Sequence, residues 1–149
     1  MEQMLHALLL PSANDAALAI AKHVGGSIEN FISMMNQKAS ELGALDTNFV
    51  NPNGLHDDRH VSSAYDLALI GRYAMSNETI RSIVDKVTYE IPPTNIKTET
   101  RYFKTTNKLL FSSELIDKNG ELVAARYDAA SGVKTGYTSQ AMNCLVSYG

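Results

Sequence analysis

Helices first and strands afterwards predict an α+β domain, a helical cluster packed against an antiparallel sheet. Up to about residue 85, apolar residues recur at helical spacing between capping residues and glycines. Beyond residue 86 they alternate with polar ones and are punctuated by Pro-Pro and Asn-Gly. The 149 residues, 44% of them hydrophobic, suffice for one core, and no linker, repeat or low-complexity tract divides them. The expectation is a single domain over 1–149, helical over about 1–85 and strand-rich over about 86–149.

Met1 to Leu10 reads as the tail of an amphipathic helix running into Pro11. Glu2, Gln3 and His6 break its apolar run and no basic segment precedes it, so it does not read as a signal peptide. Asn14 to His23 is apolar on nearly every face and stops at Gly25-Gly26, as a helix buried in a cluster would. Ser12, Asn14 and Asp15 all stand where an N-cap belongs. Ser27 opens the clearest helix: Ile28, Phe31, Ile32, Met35, Ala39 and Leu42 share one face, with Met34 and Met35 as core filler and Gly43 at the C′ position. Thr47 to Asp58 is a loop rich in Asn, Pro and Gly. Ser62 or Ser63 caps a helix through Tyr73, with Asp66 placed to return a capping bond to Ser63. Asn77 caps a short helix carrying Ile80, Ile83 and Val84.

Val87, Tyr89 and Ile91 then alternate as a half-buried strand ended by Pro92-Pro93. Thr100 to Lys104 is a second extended segment and Lys118-Asn119-Gly120 a turn. Val133 to Tyr137 and Asn143 to Tyr148 read as an antiparallel pair. No stretch approaches the length needed to cross a bilayer. A net charge of -3 leaves no basic footprint for nucleic acid or anionic membrane. The one cysteine, Cys144, sits in an apolar run and reads as a buried small hydrophobe.

Two triplets carry chemistry. Lys134-Thr135-Gly136 on a strand offers a fixed cation, a hydroxyl and a backbone that a ligand can approach closely. Ser12-Ala13-Asn14 before a helix offers a proton-shuttling hydroxyl and an amide able to hold a peptide carbonyl. Acyl transfer from an amide needs a nucleophile, a base, oxyanion donors and an acid for the leaving amine. Ser12 suits the last role, Asn14 suits substrate clamping, Lys134 suits an anionic terminus, and the N–H of Tyr137 suits an oxyanion. These are two of the three elements of serine acyl-transferases; the third, Ser-x-x-Lys, belongs upstream of Ser12.

Longer blocks extend the likeness. Lys134-Thr135-Gly136-Tyr137-Thr138 with Cys144-Leu145-Val146 resembles the cleft-edge hairpin of bacterial D-alanyl-D-alanine carboxypeptidases, the low-molecular-mass penicillin-binding proteins. Pro11 to Ala17 is similar to that family's second motif and the helix after it. Phe49 to Leu55, followed by His60, Ser62 and Asp66-Leu67-Ala68, resembles its characteristic loop and helix, and Thr106-Asn107-Lys108-Leu109-Leu110 its Asn-x-Leu-Leu segment.

The resemblance implies part of a β-lactamase/transpeptidase-like domain, needing no cofactor or metal. It implies a serine peptidase acting outside the cytoplasmic membrane on peptidoglycan stem peptides that end in D-Ala-D-Ala, and trapped by β-lactam antibiotics. It assigns Ser12, Asn14 and Lys134 to catalysis and Thr135, Gly136 and Tyr137 to substrate binding. It also implies missing partners, the flanking segments of the same domain, because only eleven residues precede Ser12 and one strand follows the third motif. A chain so cut would expose the helix from Asn14 to His23 and one sheet edge.

The sole Ser-x-x-Lys, Ser131 to Lys134, is rejected as the nucleophile pair: its lysine belongs to the third motif, and an odd offset on a strand puts the two on opposite faces. Two other functions compete. A β-lactamase is disfavoured by the Asn51 to Leu55 loop and by the lack of a Glu-x-x-x-Asn segment; a non-catalytic remnant or stem-peptide binder stays open. His56, Asp57, Asp58 and His60 read as an ordinary solvated loop rather than a zinc site, with His60 bonding inside the loop. His6 and His23 read as structural, Asp85 and Lys86 as solvated charges, and Tyr65, Tyr73 and Tyr89 as packing.

Overall fold

In the computed structural model, which describes residues 1–149, five helices occupy the first part of the chain. They are α1 (Glu2–Leu9), α2 (Asn14–Gly25), α3 (Ile28–Glu41), α4 (Ala64–Met75) and α5 (Glu78–Val84). Six strands follow: β1 (Thr88–Ile91), β2 (Arg101–Lys104), β3 (Leu115–Lys118), β4 (Glu121–Ala124), β5 (Ser131–Thr138) and β6 (Met142–Tyr148). They form three separate antiparallel pairs, β1-β2, β3-β4 and β5-β6, rather than the one incomplete sheet expected from sequence. No helix is long and apolar enough to cross a membrane.

Capping explains most helix ends. Ser27 accepts the Asn30 N–H, Ser63 that of Asp66, and Asn77 that of Ile80, each at 3.1 Å. Helix α3 closes with Gly43 at φ +79°: the Gly43 N–H reaches the Ser40 carbonyl and the Ala44 N–H that of Ala39, a Schellman arrangement. One cap differs from expectation. Asp66 returns no bond to Ser63; its buried carboxylate accepts the Asp46 N–H at 2.8 Å and the Thr47 hydroxyl at 2.7 Å. A buried carboxylate must find donors, and the loop before α4 supplies them.

That loop is held by side chains throughout. Asn36 of α3 makes both bonds of an amide clamp to Phe49, donating to its carbonyl at 2.8 Å and accepting its N–H at 2.7 Å. His60 Nδ1 accepts the Val50 N–H at 3.1 Å, a bond inside the loop as expected. Burial pushes the His60 imidazole below its ordinary value, and nearby Asp57 only partly opposes this. Asn51 closes the Asn-Pro-Asn-Gly-Leu turn by bonding Gly54 and Leu55.

Only 17 of 149 residues are buried, and eleven of these form the hydrophobic core, so it sits on a few contacts. Leu10, Ile83 and Val84 are all but sealed, each worth about 1.5–3 kcal/mol of burial. Helix α2 buries only the face of Ala16, Ala17, Ile20 and Ala21; Leu18 and Val24 on its other side are exposed, so it is not enclosed all round. Its packing partners are α1 and α3. Met34 is exposed rather than core filler, and so is Cys144, whose thiol contacts the Ala141 carbonyl. Tyr65 and Tyr73 are exposed too, Tyr73 lying under the Lys38 ammonium.

His6 is fully buried, its ring stacked 3.5 Å from that of Tyr89. Its Nδ1 bonds the Glu2 carbonyl at 3.0 Å and its Nε2 meets Lys86 Nζ at 3.1 Å. Lys86 is therefore half-buried and engaged, not a solvated charge beside Asp85. The contact joins α1 to the start of β1.

Candidate active site

β5 is positioned from both sides. Val84 at the end of α5 packs against Gly132, where any Cβ would fall 2.5 Å from Val84 Cγ2 and φ is +58°. Between Ser131, opposite Tyr148, and Lys134, opposite Val146, the register shifts, a bulge of the kind that re-aims a strand beside a site. The carbonyl of Gly132 in this bulge accepts Asn107 Nδ2 at 2.5 Å and the Ser147 hydroxyl at 3.1 Å. The strict alternation used to separate Ser131 from Lys134 does not run through the bulge; what decides the matter is where Lys134 goes.

Lys134 Nζ donates to Ser12 Oγ and to the Thr135 carbonyl, the latter at 2.8 Å. No carboxylate of the chain pairs with this ammonium: the five ion pairs all involve other residues. Burial alone pushes its pKa below the ordinary lysine value. A half-buried cation with neutral partners and one N–H left over keeps the capacity to donate to an anionic acceptor.

Ser12 reaches Lys134 through an unusual backbone. Its φ is +63°, a left-handed conformation that a serine adopts at a cost. The turn is fixed by the Ala13 N–H bonding the Ala7 carbonyl at 2.9 Å. The capping alternative for Ser12 and Asn14 does not apply: Ala13 holds the N-cap position of α2 and no side chain caps it. With its oxygen accepting from an ammonium, Ser12 keeps its own proton free to donate. Asn14, the first residue of α2, is exposed.

Along β5 beyond Lys134, Thr135 Oγ1 is hydrogen-bonded to Thr106 Oγ1. Gly136 is exposed and meets only ordinary contact, Cys144 Cβ at 3.8 Å from a built Cβ, so nothing inside the chain demands a glycine there. Tyr137 opposes Asn143 and its side chain is 68% exposed. Of the six residues singled out from sequence, Ser12 and Lys134 are in contact, Thr135, Gly136 and Tyr137 continue the same strand, and Asn14 flanks the Ser12 turn. Sequence reasoning attached no role to Thr106 and Asn107; the signal was their place in the segment that resembles the family's Asn-x-Leu-Leu block. A separate groove of about 640 Å³ between α4 and β6, lined by Leu67, Gly71, Leu145 and Val146 among others, includes neither Ser12 nor Lys134.

No group of three or more His, Cys, Asp or Glu side chains is arranged to hold a metal. Asp57 is instead held to about 2 by Arg59, through side-chain and backbone hydrogen bonds, in an exposed loop.

The α+β frame that carries this strand and turn is shared with known proteins. The family model for D-alanyl-D-alanine carboxypeptidases matches residues 1–149, and the chain belongs to that family. It is 35% identical over 146 residues to the D-alanyl-D-alanine carboxypeptidase DacF of Bacillus subtilis, covering 98% of this chain and 33% of that protein. It is also 35% identical to DacB2 of Mycobacterium tuberculosis, covering 97% of this chain and 44% of the relative. The crystal structure of the Streptomyces K15 DD-transpeptidase superposes with a TM-score of 0.82 at 33% identity, over 98% of this chain and 54% of that one. The fold is that of the DD-transpeptidases, and the chain spans about a third to a half of the length of these relatives.

Proposed function

We propose that this chain supplies the proton-handling and substrate-binding part of a serine-type D-Ala-D-Ala carboxypeptidase. The substrate is the peptidoglycan stem peptide ending in D-Ala-D-Ala, met outside the cytoplasmic membrane, and β-lactams compete for the same cleft. The observation that carries this reading is the bond from Lys134 Nζ to Ser12 Oγ, made by an ammonium with no carboxylate partner in the chain.

The roles follow from chemistry. The free carboxylate of the terminal D-Ala becomes the counter-ion that Lys134 lacks, and Thr135 donates its hydroxyl proton to it. The exposed Gly136 lets the substrate backbone lie against β5, the Tyr137 N–H polarises the scissile carbonyl, and Asn14 holds the substrate amide. A serine hydroxyl attacks that carbonyl, its base takes the proton, and the C–N bond breaks. Ser12 passes a proton to the departing D-Ala nitrogen; water then hydrolyses the ester.

The attacking serine and its base are assigned to a Ser-x-x-Lys that these 149 residues do not provide, since Lys134 is already engaged with Ser12. That same engagement favours one second reading: the chain by itself binds stem peptides without cleaving them. Fluorescent penicillin followed on a denaturing gel separates the cases. The 149-residue chain is expected to take no covalent label. The protein extended to include its Ser-x-x-Lys segment is expected to label, and to release D-Ala from a diacylated Lys-D-Ala-D-Ala peptide. A folded extended protein that does neither overturns the carboxypeptidase reading.

A further inference from the structure

Thr106 lies between two anchored neighbours. The Thr105 N–H bonds the Val87 carbonyl at 2.9 Å, and the Thr105 hydroxyl accepts the Asn107 N–H at 3.2 Å. Asn107 is 3% exposed and uses both ends of its amide, Nδ2 on the Gly132 carbonyl and Oδ1 on the Leu109 N–H at 3.1 Å. Thr105 and Asn107 are buried, whereas Thr106 is exposed, and its hydroxyl bonds that of Thr135. The segment is thus fixed on both sides of one residue whose side chain meets the substrate-binding strand.

The geometry points to Thr106 as a positioning residue that sets the preference of this cleft for a free C-terminal carboxylate, an inference that rests on the function proposed above. A threonine hydroxyl has one proton and two lone pairs. Paired with each other, Thr106 and Thr135 can donate in either direction. A carboxylate accepts only, so it selects one order: Thr106 donates to Thr135 Oγ1, and Thr135 donates to the carboxylate. A hydroxyl that is itself accepting a bond is the stronger donor, and the gain is larger toward a charged acceptor than toward a neutral amide. Thr106 need not touch the substrate; it acts through Thr135. Asn107 keeps it in place and at the same time satisfies the carbonyl of the bulge before Lys134, so one short segment sets both groups that would meet the anion.

The test is non-covalent binding to the folded chain, read by titration of methyl-labelled threonines in NMR. Two probes are used, diacetyl-Lys-D-Ala-D-Ala as free acid and as C-terminal amide. The native chain is expected to favour the acid, and Lys134→Met to abolish the preference. Thr106→Val, which keeps the shape but loses the hydroxyl, is expected to lower the acid-to-amide ratio about fivefold, and Thr106→Ser to restore it with an unchanged melting temperature. An intact native preference that Thr106→Val leaves unaltered overturns this inference alone. Equal binding of acid and amide by the native chain overturns the functional reading and the inference with it.

Discussion

Lys134 Nζ and Ser12 Oγ are hydrogen-bonded across 122 positions of sequence, joining the middle of β5 to the turn before α2. Local bonds alone, Lys134 Nζ to the Thr135 carbonyl and the Ala13 N–H to the Ala7 carbonyl, do not bring the two together. Ser12 holds a left-handed backbone, and Lys134 is drawn out of water without a carboxylate partner. Such strain and desolvation are the features from which function is inferred.

The desolvation of Lys134 fixes a pH dependence. Below its lowered pKa the residue is protonated in both folded and unfolded chains, and the cost of holding the charge out of water is present in full. Between that pKa and the ordinary 10.5 only the unfolded chain binds the proton, so stability rises with pH across this window and is level above it. Denaturant titrations should show the native chain gaining on Lys134→Met as the pH approaches 10.5. A difference between the two that does not change with pH contradicts the burial.

Asp66→Ala should destabilise the chain by about 2–3 kcal/mol, because the Asp46 N–H and Thr47 hydroxyl lose a charged acceptor. Ser63→Ala, which removes only the cap of α4, should cost about 1 kcal/mol. Equal losses in thermal melts would mean that Asp66 acts through the cap after all.

Gly132→Ala should cost about 2–4 kcal/mol, from overlap with Val84 together with a φ that alanine avoids. Adding Val84→Ala relieves the overlap but leaves the φ, so the double variant should recover part of the helix–strand contact only if crowding dominates. A melting temperature unmoved by Gly132→Ala contradicts the close approach of α5 to β5.

Cys144 in the native chain should react with a thiol reagent at a rate close to that of the unfolded chain, since it is exposed on β6. Protection by tenfold or more would place it inside.

How legible these features were depends on what fixed them. Caps at Ser27, Ser63 and Asn77 and the C′ glycine at Gly43 were readable because a local side chain or φ decides them. The β5-β6 pair was readable as two extended runs joined by a short turn. The β3-β4 hairpin was not assigned, although Asn119 and Gly120, both at positive φ, are the two-residue turn that such a hairpin uses; its strands are largely exposed and carry little pattern. Cys144 and Met34 were placed inside on residue type alone, but burial depends on what covers a face, which composition does not reveal. Asp66 and Lys86 found partners distant in sequence, the loop at Asp46 and the buried His6, and a long-range partner leaves no periodic trace. In the site, the triplets marked Ser12 and Lys134, while the Thr106 to Thr135 bond needed the fold to bring the two together.

A double-mutant cycle on Ser12→Ala and Lys134→Met, read by chemical denaturation at neutral pH, reports directly on whether these two side chains share a cleft. A coupling of about 1 kcal/mol or more between the two substitutions is expected. Additivity within about 0.3–0.5 kcal/mol would show that they do not meet, and the carboxylate receptor built on them would be lost.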